Sequence, residues 1–174
     1  MGHSLRKSNR LAQFDYSQYG WYFVTMCTKD MREWFGMVRN GEMAVNEYGK
    51  FVEQQWKWLA EQYGYVELDE YAVMPNHFHG VIVIRNPKVA TGRDLSLQSE
   101  TKSLSQLVGA FKTTSSKLIH RSGRLDFQWQ RSFYDHIIRS DEALEKIRLY
   151  IHNNPLNWEL EKSKPENYLP DDIV

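Results

Sequence analysis

The chain has 174 residues, 41% of them apolar, and 22 basic against 22 acidic side chains, so its formal net charge is zero. That length holds one sizeable core and is short for two ordinary domains, while the balanced charge argues against broad attraction to polyanions. One cysteine, Cys27, excludes an internal disulfide and a thiolate zinc cage; with no signal-like N-terminal segment and no apolar run near the roughly 20 residues of a membrane span, the sequence reads as soluble and cytoplasmic.

Residues 21–28 (WYFVTMCT) are aromatic and β-branched and predict a strand. Residues 38–45 (VRNGEMAV) enclose Asn40-Gly41, the type I′ turn signal, and predict a small hairpin. Asn46 then caps a helix in which Val52, Trp56, Leu59 and Tyr63 recur at i, i+4, i+7 and i+11, running to about Gly64. Residues 66–74 and 77–84 predict two antiparallel strands joined at Pro75-Asn76. Since both faces of 81–84 (VIVI) are apolar, the second of these belongs inside the sheet.

Residues 86–101 are polar and without period, which predicts a loop. Leu104, Leu107, Val108, Phe111, Leu118 and Ile119 follow with helical spacing, residues 133–138 predict a fourth strand, and Ser140-Asp141-Glu142 opens a third helix. Pro155 is expected to end that helix, leaving an acidic surface tail at 159–174. The order β, α, β, β, α, β, α, with an early hairpin, predicts an α+β fold of the ferredoxin-like (split βαβ) type. We expect a single domain over 1–174, with its core at about 10–158.

The stretch MPNHFHG, residues 74–80, sets two imidazoles at the mouth of the interior strand. Alternation puts His77 and His79 on one face, one pleat repeat apart, where they can grip a single metal ion, or else be solvated or bonded to backbone. A two-histidine site is incomplete. On the third helix, with about 100° per residue, Ile147 and Ile151 lie near Leu144 and form the core stripe, and Tyr150 and Asn154 lie one turn apart on its flank. Asn154 precedes Pro155, the expected helix end, which would free its side chain and carbonyl from interior helix geometry. Tyr134 and His136, alternating on the fourth strand, are further candidates for the same pocket.

His77-Phe78-His79, followed by WQRSFYDHIIR and YIHNNPLNW and preceded by FDYSQYGWYFVTMCT, NEYGKFV and VELDEYAVMPNHFHG, resembles the single-tyrosine HUH transposases, nearest to the REP-associated tyrosine transposases. The resemblance spans about Arg10 to Trp158. It implies that His77 and His79 are metal ligands, that Asn154 supplies a third ligand, and that Tyr150 is the nucleophile. It further implies a divalent cofactor, Mg²⁺ or Mn²⁺, and a single-stranded DNA substrate, often beside an imperfect hairpin. Cleavage would form a covalent 5′-phosphotyrosine whose reversal rejoins strands in DNA transposition without ATP. Members of the wider family act as homodimers or as monomers.

The residue types suit that chemistry. A free phenol, with a pKa near 10, is only about 0.1% ionised at pH 7, so a tyrosine nucleophile needs help. A divalent ion held by two neutral imidazoles and an amide oxygen keeps most of its charge and has open positions for phosphate oxygens. His136 is the candidate for supporting the ligands from behind. Charge is segregated along the chain, with seven Lys/Arg against two Asp/Glu from Lys102 to Arg139 and six acids against two lysines from Glu47 to Glu70. Lys112, Lys117, Arg121 and Arg131 are accordingly candidate DNA-phosphate contacts. Two other functions fit the same pattern: a noncatalytic single-stranded nucleic-acid-binding module, and a metal-dependent nuclease whose nucleophile is water.

Overall fold

The computed structural model describes residues 19–86 and 101–161. Along the chain run β1 (Gly20–Cys27), a short 3-10 turn (Lys29–Met31), β2 (Gly36–Arg39), β3 (Glu42–Val45), α1 (Glu47–Gln62), β4 (Val66–Val73), β5 (His77–Ile84), α2 (Leu104–Arg121), β6 (Tyr134–Ile138) and α3 (Asp141–Glu161). β4, β5, β1 and β6 form one antiparallel sheet in that order, and β2 pairs with β3 as a separate hairpin. Two interleaved split βαβ units produce this order, so the ferredoxin-like α+β expectation holds.

Local chemistry explains the boundaries. Asn40 and Gly41 adopt left-handed φ of 53° and 73°, the type I′ geometry that the hairpin needs. Asn46 Oδ1 accepts from the Tyr48 and Gly49 amides at 3.0 and 3.1 Å to open α1. Ser103 and Gln106 make a reciprocal capping box at α2, and Ser140 Oγ accepts from the Ala143 amide at α3.

The sheet is covered on both faces. Trp56 and Leu59 of α1 and Phe111 and Ile119 of α2 share a core with Tyr22, Val24, Phe78 and Ile82. On the other face Leu144, Ile147 and Ile151 of α3 pack on Phe23, Val81 and Ile138. Every residue of β5 is therefore buried, which accounts for its unbroken apolar run. Gly80 is needed where α1 crosses: a Cβ there would lie 2.6 Å from Trp56 Cζ2.

Pro155 does not end the third helix, because α3 continues through it to Glu161. Proline removes the amide that would bond the Ile151 carbonyl, but contacts made by the turn beyond it offset that loss. Glu159 accepts from the Asn40 and Gly41 amides at the hairpin tip, at 3.2 and 2.6 Å, and Trp158 packs its ring 5.7 Å from that of His77. Asn154 is thus a buried residue inside a helix rather than at its end. The predicted loop at 86–101 falls almost entirely outside the described residues, as do positions 1–18 and the tail beyond 161. No described helix is long and apolar enough to cross a membrane.

Gly80→Ala should drive a methyl into Trp56 and destabilise the fold by about 1–3 kcal/mol. Urea or thermal unfolding measures this, and wild-type stability would show that Trp56 can step aside.

Candidate functional site

The second sheet face brings the histidines to α3. Across β1 and β5, Thr25 lies opposite His79 and Cys27 opposite His77, so Phe23, Thr25, His77 and His79 share the face that α3 covers. Both imidazoles are buried, at 1% and 0% exposure, as is Asn154 at 4%. Their ring centroids are 4.6 Å apart. Phe23 stacks on His79 at 5.4 Å and meets the Tyr150 ring edge-on at 6.0 Å. The Tyr150 hydroxyl lies 3.4 Å from His79 Nε2, a long hydrogen bond.

Each histidine has its Nδ1 tied to a neighbour. His77 Nδ1 is 2.8 Å from Asn76 Oδ1, and His79 Nδ1 is 2.8 Å from Thr25 Oγ1. His77 Nε2 is buried and makes no hydrogen bond of acceptable geometry, although the Asn154 side chain lies close enough to favour its charged form. Burial pushes His77 down to about 3 despite Asn154. Burial, and then the neighbouring His77, drive His79 well below the usual imidazole range. Both rings are therefore neutral near pH 7.

α3 is held to this face by charge as well as by its apolar stripe. Arg148 grips Asp69 of β4 with two parallel bonds, Nε to Oδ1 at 2.8 Å and a terminal nitrogen to Oδ2 at 2.7 Å. Asp69 occupies the register shift between Leu68 and Tyr71. The Arg148 bond holds its carboxyl below the ordinary range against the opposing effect of burial.

The sequence-predicted residues divide clearly. His77, His79, Tyr150 and Asn154 converge. Tyr134 and His136 share the same sheet face but lie on β6, opposite Thr25 and Phe23, so β1 intervenes between them and the histidines. Burial and then Arg139 lower His136, against Asp135. Lys112 is turned inward, donating to the Gln130 and Ser132 carbonyls at 2.9 and 2.8 Å, and burial lowers its ammonium to about 8. Lys117 and Arg121 are exposed on α2, across the sheet from the histidines, whereas Arg131 is exposed in the segment entering β6. The Gln130 amide of that segment donates to the Cys27 carbonyl, one strand from His77. Asn76, Thr25, Phe23 and Trp158 were not singled out from sequence. Strand alternation could have offered Phe23 and Thr25, but only the β1–β5 register brings them to His79.

Among the described residues no three His, Cys, Asp or Glu side chains converge. A cation here would meet two imidazoles and neutral oxygen donors. The pair nevertheless fits one: two desolvated neutral rings lie side by side, and one carries an orphaned nitrogen that burial alone leaves costly.

No protein-family model matches the sequence. An uncharacterized protein of Haemophilus influenzae is 35% identical over 162 residues, covering 88% of this chain and 90% of the relative, and the chain belongs to one family with it. Among solved structures, a REP-associated tyrosine transposase bound to a REP hairpin superposes with a TM-score of 0.58 at 17% identity, covering 88% of this chain and 76% of that one. The fold is therefore transposase-like.

His77 and His79 take up protons more readily unfolded than folded, so the unfolded chain gains protons first as pH falls through about 6.5. Stability of the chelator-treated protein should be fully present above that pH and be lost towards pH 3. His77 alone accounts for about 2 kcal/mol by pH 5. Urea titrations at pH 7 and 5 measure the loss, and His77→Gln should flatten the profile.

Proposed function

We propose that this protein cleaves and rejoins single-stranded DNA through a covalent 5′-phosphotyrosine on Tyr150, as a transposase of the HUH type. The observation that carries this reading is the Tyr150 hydroxyl 3.4 Å from His79 Nε2, on the face that also buries the unpartnered His77 Nε2. The likeness in fold to a hairpin-bound transposase supports hairpin-bearing DNA as the substrate. All four side chains come from one chain, so a homodimer is not required to assemble the site.

His77 Nε2, His79 Nε2 and the Asn154 amide oxygen would hold Mg²⁺ or Mn²⁺, which when bound supplies charge to offset and orient the nonbridging phosphate oxygens. Tyr150 Oη gives up its proton and bonds to phosphorus while the 3′ oxygen departs and is protonated to a hydroxyl. The ester conserves the energy of the broken bond. Attack by a 3′ hydroxyl reverses the step, joins the strands and restores the phenol. Phe23 and the apolar stripe of α3 exclude water from the inner side of the pocket, which favours ester over hydrolysis. Exposed Arg131 is the basic candidate best located for the strand leaving the site; Lys117 and Arg121 would serve only DNA that wraps to the opposite face, and Lys112 holds the 130–132 segment.

Incubating the protein with hairpin-bearing single strands and Mn²⁺ should give a protein–DNA adduct by denaturing gel and mass. Tyr150→Phe should abolish it and His77→Ala should reduce it severely. An adduct that persists in Tyr150→Phe overturns the nucleophile; free 5′-phosphate ends without adduct indicate a water nuclease; chelator-resistant binding without cleavage indicates a binding module.

A further inference from the structure

His77 can offer a lone pair from Nε2 only if its single hydrogen sits on Nδ1. Asn76 decides this. Its Nδ2 donates to the Met31 carbonyl at 3.0 Å, so the atom facing His77 Nδ1 at 2.8 Å is the amide oxygen, which can only accept. Turning the amide over would set its oxygen against the Met31 carbonyl and its NH₂ against His77, losing one bond outright. Asn76 is itself fixed, 5% exposed with its backbone carbonyl accepting from the Thr28 amide at 2.9 Å.

The Met31 carbonyl is aimed by unusual backbone. Asp30 and Met31 are consecutive non-glycine residues at φ of 55° and 53°, a left-handed conformation that residues with a Cβ seldom adopt. Such strain persists where surrounding contacts over-determine it, and here the carbonyl it turns inward holds a buried amide. Thr25 is different, since its hydroxyl can either donate to or accept from His79 Nδ1.

We infer that Asn76 is a positioning residue: held by the left-handed turn at Asp30 and Met31, it locks His77 in the Nδ1–H tautomer and keeps the Nε2 lone pair available to a divalent cation. The cation half of this rests on the proposed function; the tautomer half does not. The chain thus sets one ligand's hydrogen before any ion arrives, as outer hydrogen-bond partners of metal-bound histidines do.

The test uses full-length protein with ¹⁵N-labelled histidine, freed of metal, at pH 7. Imidazole nitrogen shifts for His77 should show Nδ1 protonated and Nε2 bare. Asn76→Ala should lose that signature and weaken Mn²⁺ binding by roughly 10- to 100-fold. Asn76→Asp keeps an acceptor toward His77 Nδ1 but sets its second oxygen against the Met31 carbonyl, so it should recover the Nδ1–H signature only in part and bind Mn²⁺ more tightly than Asn76→Ala. A wild-type spectrum with hydrogen on Nε2 overturns the inference without any variant, and so does Asn76→Ala binding Mn²⁺ as wild type does. The expected tautomer with no Mn²⁺ binding in wild type overturns the cation role together with the proposed function, while the tautomer assignment survives.

Discussion

Burying two imidazoles between a sheet and a helix costs free energy unless their nitrogens find partners, and the second layer of this fold is organised around that constraint. Each ring has one nitrogen satisfied from the sheet side, by Asn76 or Thr25. The other nitrogens face α3, where Tyr150 makes a long contact to His79 and the Asn154 side chain lies near His77. An apolar pair of the same size would avoid that desolvation but would strand the buried Asn76 Oδ1 and Thr25 hydroxyl. Desolvation keeps the rings neutral, the state in which an imidazole can donate a lone pair.

The two faces of the sheet carry different tasks. Against α1 and α2 stand large rings, with Trp56, Phe78 and Phe111 meeting at 4.8 to 5.5 Å, and Gly80 lets Trp56 approach the backbone of the strand that carries the histidines. This core fixes the height and tilt of β5. The α3 face is thinner, a stripe of Leu144, Ile147 and Ile151, and depends more on specific polar ties. Arg148 on Asp69 secures the middle of the helix, and Glu159 on the hairpin amides secures its end. The hairpin, which contributes nothing to the main sheet, acts here as an anchor for the helix that carries Tyr150.

What could be read from sequence was what local patterns encode. Alternation placed His77 and His79 on one face, the Asn40-Gly41 turn and Asn46 cap marked the hairpin and α1, and helical arithmetic set Tyr150 and Asn154 on one flank of α3. The rest needed long-range information. Thr25 joins the site through a pairing 54 positions away, and Asn76 looks like a turn residue until the Met31 carbonyl is seen to fix its amide. Pro155 misled because its local cost is real, while its compensation comes from Glu159 reaching a hairpin 118 positions earlier in the chain. Lys112 likewise reads as a surface cation until its two carbonyl partners are known.

Continuation of α3 through Pro155 bears on the proposed chemistry more than its interruption would have. Tyr150 and Asn154 are one turn apart, so an unbroken helix makes the proposed nucleophile and a candidate ligand parts of one body, and Trp158, a further turn along, rests against His77. Had the helix ended at Asn154, its amide would move with a loop, and its distance to the histidines could vary independently of the phenol. The missing amide of Pro155 leaves the Ile151 carbonyl without its helical donor, and α3 is tied on both sides of that gap, by Arg148 before it and by Glu159 after it. Positioning a hydroxyl to within tenths of an ångström of a phosphate requires that kind of rigidity, because a misplacement near 1 Å can cost about 100-fold in rate.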